Sequence, residues 1–211
     1  MRNIVVILSV LTAAFAVLTI RAYLNSNLTQ KVIFKPLTMV CIIAIAFLQT
    51  SDMPYYKTAI LIGLFFSLAG DMFLIWDKKL FLPGLIAFLL AHVCYTFAFY
   101  ETPRLPNSIY SAIPFLIVFV IFVSILWRRL GPMKVPVIVY ALTICAMGRF
   151  AMLRWLDHGT TDMLLAFAGA SIFIVSDILL GYDRFRQPIP TKDIYVLGTY
   201  FLAQWLIAMS I

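Results

Sequence analysis

Apolar residues fall in eight stretches along the chain, at roughly 4–20, 36–51, 57–76, 80–100, 107–127, 133–152, 160–181 and 192–211. Polar punctuation separates them: Asn25-Ser26-Asn27, Asp52-Met53-Pro54, Asp77-Lys78-Lys79, Pro103 to Asn107, Arg128 to Pro132, Asp157-His158-Gly159, and Asp183 to Lys192. About 20 apolar residues cross a bilayer as a helix. The stretches lack the alternation of a barrel, and an open strand cannot span lipid. The pattern predicts an all-α polytopic membrane protein with eight transmembrane helices, in a single transmembrane domain over 1–211.

Composition agrees. Apolar residues make up 64% of the 211 positions and charged residues 12%, against about half and a quarter in soluble domains. A soluble enzyme, a disordered chain and a secreted disulfide scaffold are excluded. Cys41, Cys94 and Cys145 each sit within an apolar run and form no CxxC, which predicts buried thiols and no metal site. The net charge of +7 reads as a topology signal, not a nucleic-acid footprint. Of 16 Lys and Arg, eleven lie in the loops after spans one, three, five and seven; Arg2, Lys57, Arg104, Arg149 and Arg154 lie on the other side. The positive-inside rule places the eleven in the cytoplasm and both termini outside. This topology keeps the Asn27-Leu28-Thr29 sequon cytoplasmic and idle, and the short loops suit a bacterial cytoplasmic membrane, with a eukaryotic endomembrane as the alternative. Met1-Arg2-Asn3 with Ala14-Phe15-Ala16 is like a signal peptide, but the apolar run continues to Arg21, so the segment is expected to be retained.

Ionisable groups within spans are costly and mark function. Four stand out: Asp71, His92, Arg149 and Asp177. At 1.5 Å per residue, Asp71, Asp177, Tyr140 and Tyr200 lie about 6–12 Å inside the cytoplasmic end, in one layer. His92 and Gln204 lie deeper, at about 18 Å. Arg149 is expected to reach outward and anchor its span. Ser67 shares a helix face with Asp71, as Tyr200 does with Gln204 and His92 with Tyr95. Ala166, Gly169 and Ala170 form a small-residue stripe, which predicts a close helix contact bringing Asp177 toward span three. Asp71 and Asp177 are 106 positions apart, and each precedes an Asp-basic pair by six residues. That spacing suggests a parallel 4+4 repeat, although spans two and six align poorly.

Two carboxylates in one dry pocket supply an acid and a base, the arrangement that cleaves acetal-like bonds. Lys35, at the cytoplasmic entry of span two, is a candidate for a lipid phosphate or a plain topology charge. HExxH and GxSxG do not occur.

Six runs are similar to those of the YhhN family of membrane proteins, in order along nearly the whole chain. They are Lys35-Pro36-Leu37, Ser67-Leu68-Ala69-Gly70-Asp71, and Gly84-Leu85-Ile86-Ala87-Phe88 through His92 and Tyr95. Met147-Gly148-Arg149, Gly169-Ala170 through Phe173 to Ser176-Asp177, and Tyr200 with Gln204 complete the set. The resemblance implies eight spans, no required metal or other cofactor, and lysoplasmalogenase activity. That activity hydrolyses the vinyl ether bond of a lysoplasmalogen to a fatty aldehyde and glycerophosphoethanolamine or glycerophosphocholine. It implies a lysophospholipid substrate met among membrane lipids, while the scattered basic residues already spoke against a nucleic-acid partner. It places the catalytic aspartates at Asp71 and Asp177. The substrate site would then draw on Lys35, Ser67, His92, Tyr95, Tyr140, Tyr200 and Gln204.

Other classes stay open on the residues alone. A proton-coupled transporter of a small molecule or lipid also uses paired membrane carboxylates. An intramembrane aspartyl protease does too, but Leu68-Ala69-Gly70-Asp71 lacks the Gly-x-Gly-Asp form. A structural lipid-binding protein would tolerate loss of both aspartates.

Overall fold

The computed structural model describes residues 2–100 and 109–211; Met1 and the joint Pro103 to Asn107, with Arg104, lie outside the described residues. Eight α-helices follow one another: α1 (Arg2–Leu24), α2 (Leu28–Leu48), α3 (Pro54–Ile75), α4 (Asp77–Phe99), α5 (Ile113–Leu126), α6 (Lys134–His158), α7 (Thr161–Phe185) and α8 (Lys192–Met209). Among the described residues there is no strand. Backbone groups in lipid must bond within their own segment, and helices achieve this. Among the described residues, six helices are long and apolar enough to cross a membrane. The others are α8, whose 18 residues include Lys192, Asp193 and Gln204, and the shorter apolar helix Tyr110–Leu126 around α5. The chain is an all-α integral membrane protein.

Three boundaries differ from the apolar runs, each for a local reason. α2 begins about two turns before the run at 36. Asn27 caps it by accepting from the Gln30 N–H at 3.1 Å. Lys31 lies over the Tyr23 ring, 4.5 Å from its centroid. Lys35, expected at the span's entry, is therefore on the helix and buried, with Pro36 inside it. α6 runs on to His158 and closes at Gly159, whose φ of 68° is the left-handed cap. Arg154, counted by sequence among the charges of the outer side, is buried there; its guanidinium donates to the Ala98 carbonyl at 2.9 Å and lies over the Tyr56 ring. α7 extends through Asp183, which accepts from the Ile189 N–H at 3.0 Å and pairs with Lys192 at 2.6 Å. That carboxylate folds the α7–α8 connection back on itself.

Six helices form a closed ring: α2 packs on α3, α3 on α4, α4 on α6, α6 on α7, α7 on α8, and α8 on α2. α1 lies outside the ring against α2 and α8, and α5 outside it against α6 and α7. Advancing four helices maps every ring contact onto another ring contact. The outer helices break the pattern, since α1's partners would map onto α6 and α4. The ring centre holds Met39, Ile42, Leu64, Tyr95, Phe173 and Ile207, all buried.

The small-residue stripe serves a different contact from the one expected. Ala166 and Ala170 are fully buried. A Cβ on Gly169 would stand 3.0 Å from the Ala203 carbonyl oxygen and 2.8 Å from an Ile207 side-chain carbon. The stripe thus seats α7 on α8, not on α3. The three cysteines are free thiols, two of them buried. Arg149 donates to the Ser111 hydroxyl at 3.1 Å, which ties α6 to the turn before α5.

Candidate active site

Asp71 sits on the last turns of α3 with its side chain 2% exposed. Its Oδ1 is 3.1 Å from Lys35 Nζ, and the same ammonium reaches the Asp71 carbonyl at 3.4 Å. The Tyr200 hydroxyl donates to Asp71 Oδ2 at 2.6 Å. One ion pair and one phenol thus hold this carboxylate, from α2 and α8. Gly70 supplies room beside it, since a Cβ there would meet the Phe88 ring at 2.7 Å.

Asp177 sits on the corresponding part of α7 with a different pair of neighbours. The Tyr140 hydroxyl, from α6, donates to its Oδ2 at 2.7 Å. His92 Nε2, from α4, stands 3.7 Å from the same oxygen. Neither ring nitrogen of His92 has a hydrogen-bond partner among the described residues. The two carboxylates are therefore dressed in parallel. Each has one partner from the preceding ring helix and one from across the ring, at nearly the offset that separates the aspartates. The chemistry at the matched places differs: Lys35 beside Asp71 is a cation, and Tyr140 beside Asp177 is a phenol.

Aromatic rings fill the space between the two. Phe88 and Phe173 each stand edge-to-face with Tyr200, at 5.7 and 5.5 Å between centroids. His92 stands edge-to-face with Phe173 at 4.6 Å and with Tyr140 at 5.1 Å. Such packing fixes ring orientation, and with it the direction of both phenol hydroxyls.

Both carboxylates line a single cavity of about 320 Å³ that opens at the lysine-rich end of the bundle. Its inner wall carries Asp71, Asp177, Lys35, Ser176 and Tyr200, and its mouth carries Lys31, Arg184, Lys192, Asp183 and Asp193. Charges of both signs at the mouth and apolar residues such as Leu74 and Phe88 inside make an amphiphile-shaped space.

Of the residues singled out by sequence, Asp71, Asp177, Lys35 and Tyr200 line this cavity, and Tyr140 and His92 stand against Asp177 behind its wall. Ser67, Tyr95 and Gln204 lie beneath, in a buried chain in which the Tyr95 hydroxyl donates to Gln204 Oε1 at 2.8 Å and lies 3.4 Å from Ser67 Oγ. None of these three lines the cavity wall. Sequence reasoning did not single out Phe88, Phe173 or the mouth residues Lys31, Arg184 and Asp193. Phe88 and Phe173 stand in the family-like runs but were given no role, because an aromatic residue in an apolar run looks like ordinary packing. Lys31 and Arg184 were visible as loop charges and Asp193 at the start of the eighth run, but their convergence depends on how the helices meet.

These features define an all-helical membrane protein with two carboxylates on the wall of one amphiphilic cavity. The chain belongs to the YhhN family, which it matches over residues 30–211. It is 34% identical over 164 residues to "Lysoplasmalogenase TMEM86A" of Bos taurus, covering 72% of this chain and 65% of that protein. It is 36% identical over 149 residues to "Lysoplasmalogenase TMEM86B" of Homo sapiens, covering 68% of this chain and 59% of that protein. "Uncharacterized membrane protein YhhN" of Escherichia coli O157:H7 is 26% identical over 184 residues, with 86% and 87% covered. The chain thus spans somewhat under two thirds of the length of the mammalian relatives. No solved structure matches it.

Proposed function

We propose that the protein is a lysoplasmalogenase-like hydrolase that cleaves the vinyl ether bond of a lysophospholipid. The observation that carries this is the pair of carboxylates, Asp71 and Asp177, on the wall of one cavity whose mouth is charged and whose interior is partly apolar. The names of the mammalian relatives point to the same reaction.

The chemistry needs what the site offers. A carboxyl proton adds to the β-carbon of the vinyl ether, whose π electrons form the new C–H bond and leave an oxocarbenium ion. Water attacks the adjacent carbon and gives one proton to the second carboxylate. The resulting hemiacetal loses its hydroxyl proton, its bond to the glycerol oxygen breaks, and that oxygen takes up a proton. One water is consumed, and one fatty aldehyde and one glycerophospho-base leave. Two carboxylates serve an oxocarbenium-like transition state in the same way in glycosidases. A carboxylate close to the developing cation stabilises it electrostatically.

Tyr140 and Tyr200 orient the two carboxyl groups through their hydroxyls. His92 stands beside Asp177, where it helps to hold that carboxyl group in place. At the mouth, Lys31 and Lys192 face the phosphate and Asp193 the headgroup amine. The mouth faces the cytoplasm of a bacterial inner membrane, with both termini outside, so a lysolipid reaches the site from the cytoplasmic leaflet.

The test is aldehyde release from lysoplasmenyl-ethanolamine and lysoplasmenyl-choline by the purified protein in detergent, beside an ester-linked lysolipid. Aldehyde from the vinyl ether lipids with the ester lipid untouched is expected. Absence of aldehyde across both headgroups and a range of pH, with proton-dependent uptake in vesicles, would replace the hydrolase with a transporter.

A further inference from the structure

A second cavity begins on the far side of Asp177. It is small, about 50 Å³, and lies between α4, α5, α6 and α7. Phe81, Phe122, Ala141, Ile178 and Gly181 are among its lining residues. Its walls are hydrocarbon or aromatic apart from Asp177, the Tyr140 phenol and Cys145. Room depends in part on Gly181, where a Cβ would stand 2.7 Å from the Phe122 ring. Its outer wall is α5, one of the two helices outside the ring, whose Leu116, Ile117, Val120 and Ile121 are exposed on the bundle surface. Asp177 and Leu180 are the residues common to this cavity and the polar one; Asp71 lines the polar cavity alone.

A vinyl ether lysolipid has the same layout. Phosphate, amine and glycerol lie on one side of the ether oxygen, and the alkenyl carbons on the other. The β-carbon that must receive the proton lies on the hydrocarbon side. The water that follows comes from the polar side. A donor for that carbon has to face apolar space, and a base for water has to face polar space.

We propose that the apolar cavity beneath α5 holds the first carbons of the alkenyl chain, that Asp177 gives the proton to the β-carbon, and that Asp71 takes the proton from water. The assignment rests on the ether-lipid reading above. It fits the partners of each group: Asp71 stands in an ion pair with Lys35 and so accepts, whereas Asp177 has a phenol and an imidazole for neighbours. The chain beyond its first carbons continues along α5 into lipid, so release of the aldehyde needs no passage through the polar mouth.

Two measurements test this. The first uses a saturated 1-O-alkyl lysophosphoethanolamine, which cannot be hydrolysed, carrying a diazirine on the fourth carbon of its chain. Photolabelling of the wild-type protein is expected on peptides of α5, α6 and α7 that border the cavity, and competed by unlabelled lysolipid. Labelling confined to α1, α2 or α3 overturns the subsite. Because no turnover is involved, this result is independent of the aldehyde assay, whose failure would sink the hydrolase reading instead. The second follows deuterium at the β-carbon of recovered lysoplasmalogen after incubation in D2O. Folded Asp71→Asn is expected to protonate the carbon reversibly and exchange it, and Asp177→Asn to leave it unlabelled. Exchange by Asp177→Asn, or by neither variant, overturns the division of roles.

Discussion

Replacing Lys35 by Met separates the charge pair from its surroundings more cleanly than any other change. Lys35 and Asp71 have side chains 4% and 2% exposed, with 3.1 Å between charged atoms. At an effective dielectric of about 20, that distance corresponds to an attraction of about 5 kcal/mol. Desolvation offsets much of this in the intact pair, but removing one partner leaves the other uncompensated at about 3–5 kcal/mol. Unfolding of a chain this size shifts by roughly 2–4 °C per kcal/mol, so Lys35→Met and Asp71→Asn each lower the melting midpoint in detergent by roughly 6–20 °C. Lys35→Met/Asp71→Asn removes both charges with little change in volume and recovers most of that loss. The four proteins form a thermal-unfolding cycle, with aldehyde release measured on each. All three variants are expected to be inactive, including the double variant that has regained stability. Additivity to within about 0.5 kcal/mol, or single variants as stable as wild type, refutes the reasoning.

Tyr200→Phe removes a hydrogen bond to the Asp71 carboxylate, worth about 1.5–3 kcal/mol, and Tyr140→Phe one to the Asp177 carboxyl group, worth about 0.5–1.5 kcal/mol while that group is protonated and more as it ionises. If most of that is felt at the transition state, kcat falls on the order of ten- to a hundredfold for Tyr200→Phe and less for Tyr140→Phe, while steady-state kinetics show a smaller change in KM. Gly70→Val forces a side chain against the Phe88 ring next to Asp71; a destabilisation of about 1–3 kcal/mol is expected, read as a lowered melting midpoint together with reduced turnover. Ser67→Ala, in the buried chain beneath the cavity, is expected to change kcat/KM less than about threefold, because Ser67 is 3.4 Å from Tyr95 Oη and does not line the wall. Tyr95→Phe in the same chain leaves Gln204 Oε1 without its donor and costs about 1–3 kcal/mol in thermal unfolding.

How much of this was legible in the sequence depends on the range of the interaction. The apolar runs mark the helices because lipid imposes hydrophobicity on each segment separately. The common depth of Asp71, Asp177, Tyr140 and Tyr200 was legible because helical rise converts sequence distance into depth. Depth carries no azimuth, however. Tyr200 serves Asp71 across the ring while Tyr140 serves Asp177 on an adjacent helix, and only packing decides that. Lys35 was read as a phosphate ligand or a topology charge, because its partner lies 36 residues away on another helix. The same long-range ignorance hid Arg154, whose burial depends on Ala98 and Tyr56. The small-residue stripe announced a close contact without naming the facing helix, and that helix is α8. Spans two and six align poorly by hydropathy, yet Lys35 and Tyr140 stand at matched places beside the two aspartates. A matched placement with different chemistry leaves little trace in an apolar pattern.

The central claim is that Asp71 and Asp177 act together on one vinyl ether bond. Its most direct test is the rate of aldehyde release from lysoplasmenyl-ethanolamine by Asp71→Asn and Asp177→Asn, each shown by thermal unfolding to be folded. The account predicts that either substitution alone lowers the rate on the order of a thousandfold or more, as expected when members of one catalytic unit are removed singly. A folded variant of either kind that keeps a rate within tenfold of wild type contradicts it.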